Sequence, residues 1–442
     1  MKKKLYIRTY GCQMNTYDSK RIASLLENEY ETTDTALDAD LIIINTCSVR
    51  RKPEEKLFAV LGSIKPLKQN NKNLIIGVGG CVAQQYGKSL LERASHVDFV
   101  FGTHNLSLIP KFIEDINKER DKNSDNQKYV GVEFRDAWEE LPILNSSKGA
   151  LSISVAISRG CDNKCAYCIV PQTRGREVSR PHSEIIDEIL SSVEMGAKEV
   201  LLLGQCVNSY KSPVDESVSF EKLLEKISDI KGIERIRFIS PHPKHITDEF
   251  INLVCSNPKI CRHIHLPLQA GSDRVLELMN RKYTKERYLD IVNKIKSKVP
   301  DMAFTTDIIV GFPTETESDF LETVNVVEKV GFVNSYSFVY SPRPNTEALK
   351  LVDDVPYSEK LGWLNFLQDR QYEVSARVLK DFIGKTTSIL VDGFSKKDDT
   401  CYKGTNSQNI TVNLSSDYSS VVKLGSIIDV KIKDISRLTL KA

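Results

Sequence analysis

Cys161-Asp162-Asn163-Lys164-Cys165-Ala166-Tyr167-Cys168 places three thiols within eight residues, spaced C-x3-C-x2-C. Thiolates are soft ligands that suit iron–sulfur clusters and zinc. A four-iron cluster ordinarily takes four cysteines. Three in one tight loop hold three irons and leave the fourth open to a small molecule, the layout of a reactive cluster rather than a structural one. A zinc site would need four closed nitrogen or sulfur ligands, usually as two separated pairs. The chain has no second C-x-x-C, and His182, the nearest downstream histidine, lies across a proline-flanked loop. A redox dithiol would account for Cys165 and Cys168 and leave Cys161 idle. All three readings stand at this point, and the cluster leaves the fewest thiols unexplained.

Around this loop, residues 147–378 alternate between strand and helix patterns. Leu151–Ile157, Glu199–Leu203, Arg235–Ile239, His263–Leu266, Met302–Val310 and Ser335–Tyr340 read as strands. His182–Met195, Phe220–Ile227, Ile246–Val254, Thr284–Ile295 and Thr316–Val330 read as helices between them. That alternation predicts a parallel sheet with helices outside. A closed barrel takes eight such units. Six are present, so the expectation is a partial (β/α)6 barrel with an open side. The cysteine loop follows the first strand, at the face where barrel chemistry sits. His242, His245, His263 and His265 cluster in sequence and are read as satisfied polar residues. Cys255, Cys261 and Cys401 are read as plain thiols.

Toward the amino terminus three apolar runs each end near a cysteine. Leu5–Tyr10 leads to Cys12, Leu41–Ile44 to Cys47, and Leu74–Val78 to Cys81. Helical patterns at Ser19–Glu29 and Glu54–Ile64 separate them. The steps between cysteines are 35 and 34 residues, about one βαβ unit. All three thiols are therefore expected at the carboxyl ends of parallel strands, where open α/β sheets build ligand sites. A single cysteine there is ordinarily a small buried hydrophobe. Three in register weaken that reading and allow a second three-cysteine cluster.

Residues 121–146 read as a linker, because Glu119–Lys128 carries no apolar side chain. Residues 379–442 contain short β-rich runs at Thr386–Val391, Ile410–Leu414, Ile427–Ile432 and Leu438–Leu440, which predict a small β-barrel. From Lys380 onward ten Lys and Arg face seven Asp, a mild basic bias. Over the whole chain 61 Lys and Arg balance 59 Asp and Glu, so any nucleic-acid surface must be local. Hydrophobic residues at 40% and charged residues at 27% of 442 describe an ordinary globular chain of about two to four domains. No run approaches the roughly 20 apolar residues of a membrane span. The apolar run after the basic start ends at Arg8, too short for a signal-peptide core. The expectation is a cytoplasmic protein with reduced thiols.

The cysteine loop, with an aromatic residue before its last thiol, resembles the signature of the radical S-adenosylmethionine (SAM) enzymes. The resemblance implies a 4Fe-4S cluster on Cys161, Cys165 and Cys168 whose open iron holds SAM, with the backbone of Tyr167 meeting the adenine. Gly204-Gln205-Cys206-Val207-Asn208, Ser240-Pro241-His242-Pro243 and Asp307-Ile308-Ile309-Val310-Gly311-Phe312-Pro313 follow successive strands and are similar to the family's SAM-contacting turns. They make Gly204, Gln205, Ser240 and Gly311 candidate SAM residues. Cys206 stands where the family usually has Asn. Thr9-Tyr10-Gly11-Cys12, Asn45-Thr46-Cys47, Gly79-Gly80-Cys81 and Gly102-Thr103-His104-Asn105 resemble the amino-terminal domain of the methylthiotransferases, in which three cysteines hold an auxiliary 4Fe-4S cluster.

The final β module, placed after a radical core, looks like the RNA-binding TRAM domain, with Lys396, Lys397 and Lys403 as phosphate contacts. Arg174, Arg176 and Arg180 are either a solvated loop or a positive rim meeting phosphate or the SAM carboxylate; Arg174 and Arg176 are carried forward as RNA contacts. The resemblance spans nearly the whole chain: residues 3–120 with the auxiliary cluster, 147–378 as radical core and 379–442 as RNA module. It is closest to the branch that adds a methylthio group to carbon 2 of N6-dimethylallyladenosine at position 37 of tRNA. A 5′-deoxyadenosyl radical would open that non-acidic C–H bond, and the auxiliary cluster would present methylated sulfur. Implied partners are the tRNA anticodon loop and an electron donor such as flavodoxin or ferredoxin, for a monomer away from membranes. Branches acting on threonylcarbamoyl-adenosine tRNA or a ribosomal-protein aspartate share the layout. A non-catalytic iron–sulfur RNA sensor is the alternative of another class.

Overall fold

A computed structural model describes residues 2–48, 51–122, 127–144, 149–395, 400–418 and 422–442. The chain begins with β1 (Lys3–Tyr10), α1 (Gln13–Leu25), β2 (Tyr30–Thr32), β3 (Leu41–Thr46), α2 (Arg51–Asn70), β4 (Ile75–Gly79), α3 (Cys81–Tyr86), α4 (Lys88–Arg93), β5 (Phe99–Phe101), α5 (Ile109–Asp121) and β6 (Tyr129–Gly131). The six strands form one sheet in the order β2-β1-β3-β4-β5-β6, parallel throughout. A parallel sheet is covered on both faces, so its strands are apolar on both. Ile42 and Ile44 pack into one layer with Ile76 and Val78. Leu41 and Ile43 pack into the other with Leu5 and Phe99, the period of two that a strand imposes.

Two sequence expectations change here. The first helix starts at Gln13, not Ser19, and its buried face includes the polar Asn15, Ser19 and Arg21. The stretch 121–146 is not a free linker: Tyr129–Gly131 pairs with β5 as a sixth strand, with Val130 and Val132 packed on the core. A three-residue edge strand is created by its partner, so sequence pattern alone does not reveal it.

The middle of the chain contains β7 (Ser152–Ala156), β8 (Ser158–Arg159), α6 (Val170–Arg174), β9 (Val178–Ser179), α7 (His182–Glu194), β10 (Glu199–Leu203), α8 (Phe220–Ser228), β11 (Arg235–Phe238), α9 (Asp248–Ser256), β12 (His263–His265), α10 (Asp273–Leu278), α11 (Lys285–Lys298), β13 (Ala303–Val310), α12 (Glu317–Val330), β14 (Asn334–Val339) and α13 (Tyr357–Lys380). The parallel triplets β11-β10-β7 and β12-β13-β14 are linked by a bridge between Ile236 and Ile260. Six parallel strands thus follow one another in chain order, and β7 and β14 remain edges. This is the expected incomplete barrel.

The last part holds β15 (Thr386–Phe394), β16 (Tyr402–Asn406), β17 (Thr411–Asn413), β18 (Ile427–Lys431), β19 (Asp434–Ser436) and β20 (Thr439–Lys441), ordered β18-β15-β16-β17-β20-β19. The sheet curls around Ile389, Val391, Val412, Val430 and Leu440. Sequence reading expected four strands and missed β16 and β19, which are polar along most of their length. The module docks on the amino ends of the barrel strands. Arg235 donates to the carbonyls of Thr405 (2.6 Å) and Ser388 (3.0 Å). Arg237 donates to those of Asn406 (2.7 Å) and Ser407 (3.1 Å).

Candidate metal centres

Cys12, Cys47 and Cys81 come from three neighbouring strands of the first sheet and meet at its carboxyl edge. Cys12 caps the start of α1, Cys47 directly follows β3, and Cys81 opens α3. The Cys47 thiol hydrogen-bonds both Cys12 and Cys81. These bonds, aided by the Arg174 charge, hold Cys12 down to about 5 and Cys81 to about 6 while Cys47 is pushed up. So close a meeting needs glycine. Gly11 has φ +132°, and a Cβ on it would lie 2.2 Å from the Cys47 Cβ. Gly80 has φ +88°, and its Cβ would lie 2.3 Å from the Asn45 Oδ1. Thr46 Oγ1 and Ser48 Oγ, on either side of Cys47, are buried without hydrogen-bond partners.

The Cys161–Cys168 loop leaves the carboxyl end of the first barrel strand. Every thiol in it meets a donor: Asn163 N and Nδ2 lie 3.4 Å from Cys161 Sγ, Val170 N 3.4 Å from Cys168 Sγ, and Arg281 Nη1 3.3 Å from Cys165 Sγ. Donors of this kind favour thiolates over thiols. Burial opposes them and pushes Cys168 up to about 12. Among the described residues no three His, Cys, Asp or Glu side chains surround a single-ion position. Two trios of soft donors, each lined by glycines or N–H groups, suit iron–sulfur cages.

The candidate SAM residues share one rim. Gly204 follows β10, Ser240 follows β11 and Gly311 ends β13, while Tyr167 lies in the cysteine loop. A Cβ on Gly204 would lie 2.7 Å from Ser158 Oγ. Ser158 Oγ, Gln205 Oε1 and His242 Nε2 are buried along this rim without partners, although buried polar atoms are normally satisfied. The rim therefore fits a polar ligand such as SAM. Ser240 and Gly311 have φ of +58° and +69°. The Gly311 and Phe312 N–H groups both donate to Glu315 Oε2, at 2.5 and 3.0 Å. Burial pushes this carboxyl up to about 7.

The basic residues separate. Arg174 is corrected: it does not face solvent or RNA, being 3% exposed. Its guanidinium donates to Asp18 Oδ2 (3.0 Å) and Asn15 Oδ1 (3.2 Å) across the boundary with the first sheet and reaches the Cys81 thiol. Its position at the end of a short helix packed on α3 turns it inward. Arg180 is likewise buried, paired with Glu188 at 2.6 Å. The Arg176 side chain is 85% exposed, beside Asp162. Lys403 lies 3.7 Å from Asp392. Lys396 and Lys397 fall outside the described residues. His263 Nε2 and His265 Nδ1 both bond Thr305 Oγ1, at 2.9 and 3.0 Å.

Sequence reading missed Asn15, Asp18, Arg281 and Glu315. Asn15 and Asp18 share a helix face with Cys12 at three-residue spacing, a signal that appears once α1 is known to begin at Gln13. Arg281 carries a fainter hint, the preceding Asn280, a residue type that tolerates the left-handed backbone.

Residues 4–102 match the model described as "Uncharacterized protein family UPF0004", and residues 155–327 match that of the "Radical SAM superfamily". The chain is 45% identical over 433 residues to the tRNA-2-methylthio-N(6)-dimethylallyladenosine synthase of Geobacter metallireducens, covering 97% of this chain and 96% of that one. It is 43% identical over 425 residues to the synthase of the same name from Thermoanaerobacter pseudethanolicus, covering 96% and 89%. Among solved structures, the radical S-adenosylmethionine methyltransferase TsrM from Kitasatospora setae, with cobalamin and a 4Fe-4S cluster bound, superposes with a TM-score of 0.58 at 14% identity, over 79% of this chain and 77% of that one. The cobalamin-dependent radical enzyme OxsB gives 0.53 at 13%, over 84% and 58%. At these identities the structural likeness speaks to fold alone.

Proposed function

The chain belongs to the tRNA-2-methylthio-N(6)-dimethylallyladenosine synthases, and from that premise we propose that its two cysteine trios divide the work of one reaction. It is a radical SAM enzyme that places a methylthio group on carbon 2 of N6-dimethylallyladenosine in tRNA, with two 4Fe-4S clusters and SAM as cofactors. The C2–H bond is not acidic, so no side-chain base opens it, and the bound cofactors supply the radical and the sulfur.

The chain's residues bind and align. Cys161, Cys165 and Cys168 hold the cluster that meets SAM, and Asn163, Val170 and Arg281 donate to their sulfurs. Tyr167, Gly204, Gln205, Ser240 and Gly311 form the SAM rim, and Glu315 fixes the Gly311 turn by accepting its N–H. Cys12, Cys47 and Cys81 hold the auxiliary cluster. Arg174 ties the two sites together, because it leaves the core loop and grips Asp18 and Asn15 beside Cys12. The observation that carries this reading is the convergence of three strand-end cysteines opposite the segment that follows the core cysteine loop.

The first domain runs from residue 3 through β6, the radical core spans 147–378, and residues 379–442 are the RNA module. Position 37 sits in a single-stranded loop, where a base can be splayed out and gripped. Arg176 and the lysines of the last module, Lys396, Lys397 and Lys403, meet the tRNA backbone. No helix among the described residues is long and apolar enough to cross a membrane. The enzyme works as a cytoplasmic monomer and takes its electrons from a flavodoxin or ferredoxin.

Mass spectrometry of tRNA from a deletion strain is expected to show loss of the 2-methylthio product and accumulation of its precursor. Undiminished product would refute the substrate. Anaerobic protein should carry about eight irons, two four-iron cages. Changing Cys12, Cys47 and Cys81 to Ala together should halve the iron and leave SAM cleavage intact. Full iron in that variant would overturn the auxiliary site.

A further inference from the structure

Arg281 is a buried cation without a carboxylate. It is 4% exposed, and no Asp or Glu among the described residues is one of its main electrostatic partners. Its nitrogens meet neutral groups instead. Nη1 lies 3.3 Å from Cys165 Sγ and 3.4 Å from the Tyr167 hydroxyl. Nη2 donates to the Pro267 carbonyl at 3.2 Å, and Nε to the Tyr283 hydroxyl at 3.2 Å. Arg174, Arg180 and Arg237, comparably buried, each pair with an acid, and Arg235 is satisfied by two backbone carbonyls, whereas Arg281 also reaches a sulfur of the cysteine loop. An uncompensated buried charge is strongly unfavourable. A guanidinium does not escape by losing its proton, so it needs a negative partner, and of the atoms it touches the Cys165 sulfur becomes one when it ligates metal as a thiolate.

The surrounding backbone aims this charge at the cysteine loop. Asn280 and Lys282, on either side of Arg281, have φ of +57° and +60°. Two non-glycine residues in the left-handed region are costly and persist only where the fold holds them. Here the turn is pinned to the loop. Ala166 N donates to the Met279 carbonyl at 2.9 Å, and Asn280 Nδ2 to the Lys164 carbonyl at 2.6 Å. Of the hydrogen-bond donors on the three core thiols among the described residues, those on Cys161 and Cys168 are neutral and the one on Cys165 carries a full positive charge.

We propose that Arg281 is a positioning residue for the core cluster: through Cys165 it neutralises the thiolate-bound cage and raises the potential at which that cage accepts an electron. This rests on the assignment of Cys161, Cys165 and Cys168 as cluster ligands. One electron from a low-potential donor makes the cage and its thiolates more negative by one unit charge. A fixed cation beside a ligating sulfur favours that reduced state, since hydrogen bonds and charge around the sulfurs set cluster potentials.

The test uses the full chain with Cys12, Cys47 and Cys81 changed to Ala, so that one cluster is read by potentiometric electron paramagnetic resonance. Arg281→Met should make the cluster harder to reduce by about tenfold in reduced-to-oxidised ratio at fixed potential, about 59 mV for one electron. Arg281→Lys keeps the charge and should recover most of the shift, and Tyr283→Phe should leave the potential in place. An unchanged potential in Arg281→Met with the cluster loaded overturns the proposal. If Arg281→Met takes up no iron, loading of Arg281→Lys supports the role of charge, and failure of both overturns it in favour of packing. Absence of iron from the parent protein would instead refute the cluster assignment, a distinct failure.

Discussion

At the scale of single residues, glycine decides where sulfur can gather. Gly11 lies between β1 and Cys12 with φ +132°, and a methyl group there would overlap the Cys47 Cβ at 2.2 Å. Gly11→Ala is expected to push Cys12 and Cys47 apart and strain the backbone by about 1–3 kcal/mol. The variant should lose roughly half its iron, with SAM cleavage retained. Gly62 is the control, since it lies inside α2 with nothing within 4 Å of an added Cβ. Gly62→Ala should raise stability by about 0.5–1 kcal/mol and keep all iron. Equal iron in the two variants would contradict the crowding argument. The meeting of Cys12, Cys47 and Cys81 was legible because their spacing matches a βαβ repeat that brings strand ends together. The burial of Arg174 and Arg281 was not, because a charged side chain turns inward only when a partner distant in sequence awaits it, here Asp18 for one and Cys165 for the other.

At the scale of elements, α1 shows why amphipathic patterning fails at a domain boundary. Its inward face carries Asn15, Tyr17, Ser19 and Arg21 beside Met14 and Ile22, so a search for an apolar stripe finds the helix late and displaced. The five barrel helices expected from the sequence, which bury ordinary apolar stripes, lie within a few residues of their expected positions, whereas α6, α10 and α13 were not expected. Their ends are held by side chains that serve two elements at once. Thr316 and Asp319 form a capping box on α12, and Asp319 also accepts from Ser272 Oγ at 2.5 Å and pairs with Arg274, at the start of α10. Thr316→Ala should therefore cost about 1 kcal/mol, the usual value of a helix cap. Asp319→Ala should cost about 2–3 kcal/mol, because it also unpairs Arg274 and Ser272. Chemical denaturation of both variants checks the difference, and equal losses would show that the two helices do not share this residue energetically.

At the scale of the whole molecule, the first sheet and the barrel meet across buried polar groups. Glu188 in α7 accepts from Arg180 at 2.6 Å and from the Tyr17 hydroxyl at 3.2 Å, and Trp138 lies against the guanidinium groups of Arg159 and Arg180. His104 joins the same boundary. Its Nε2 lies 2.8 Å from the Arg174 carbonyl, and its Nδ1 accepts the Arg135 N–H at 3.1 Å, which suits a neutral ring protonated on Nε2. Burial, and then the nearby Arg159 charge, hold this ring down to about 4. The unfolded chain takes up the proton near 6.5, the folded one only near 4, so between these values the unfolded state binds more protons and stability falls as pH falls. The full effect, reached below about pH 4, is about 3 kcal/mol. His242 and His263, also held low by burial, add slopes of the same sign. The difference between the intact protein and His104→Gln isolates this residue. In metal-free protein, destabilisation between pH 6.5 and 4 should be smaller in the variant by about that amount, with hydrogen exchange in α1 and α6 showing the parent's earlier loosening. Parallel stability curves for the two proteins would mean that the neutral ring at this boundary does not couple docking of the first domain to acid.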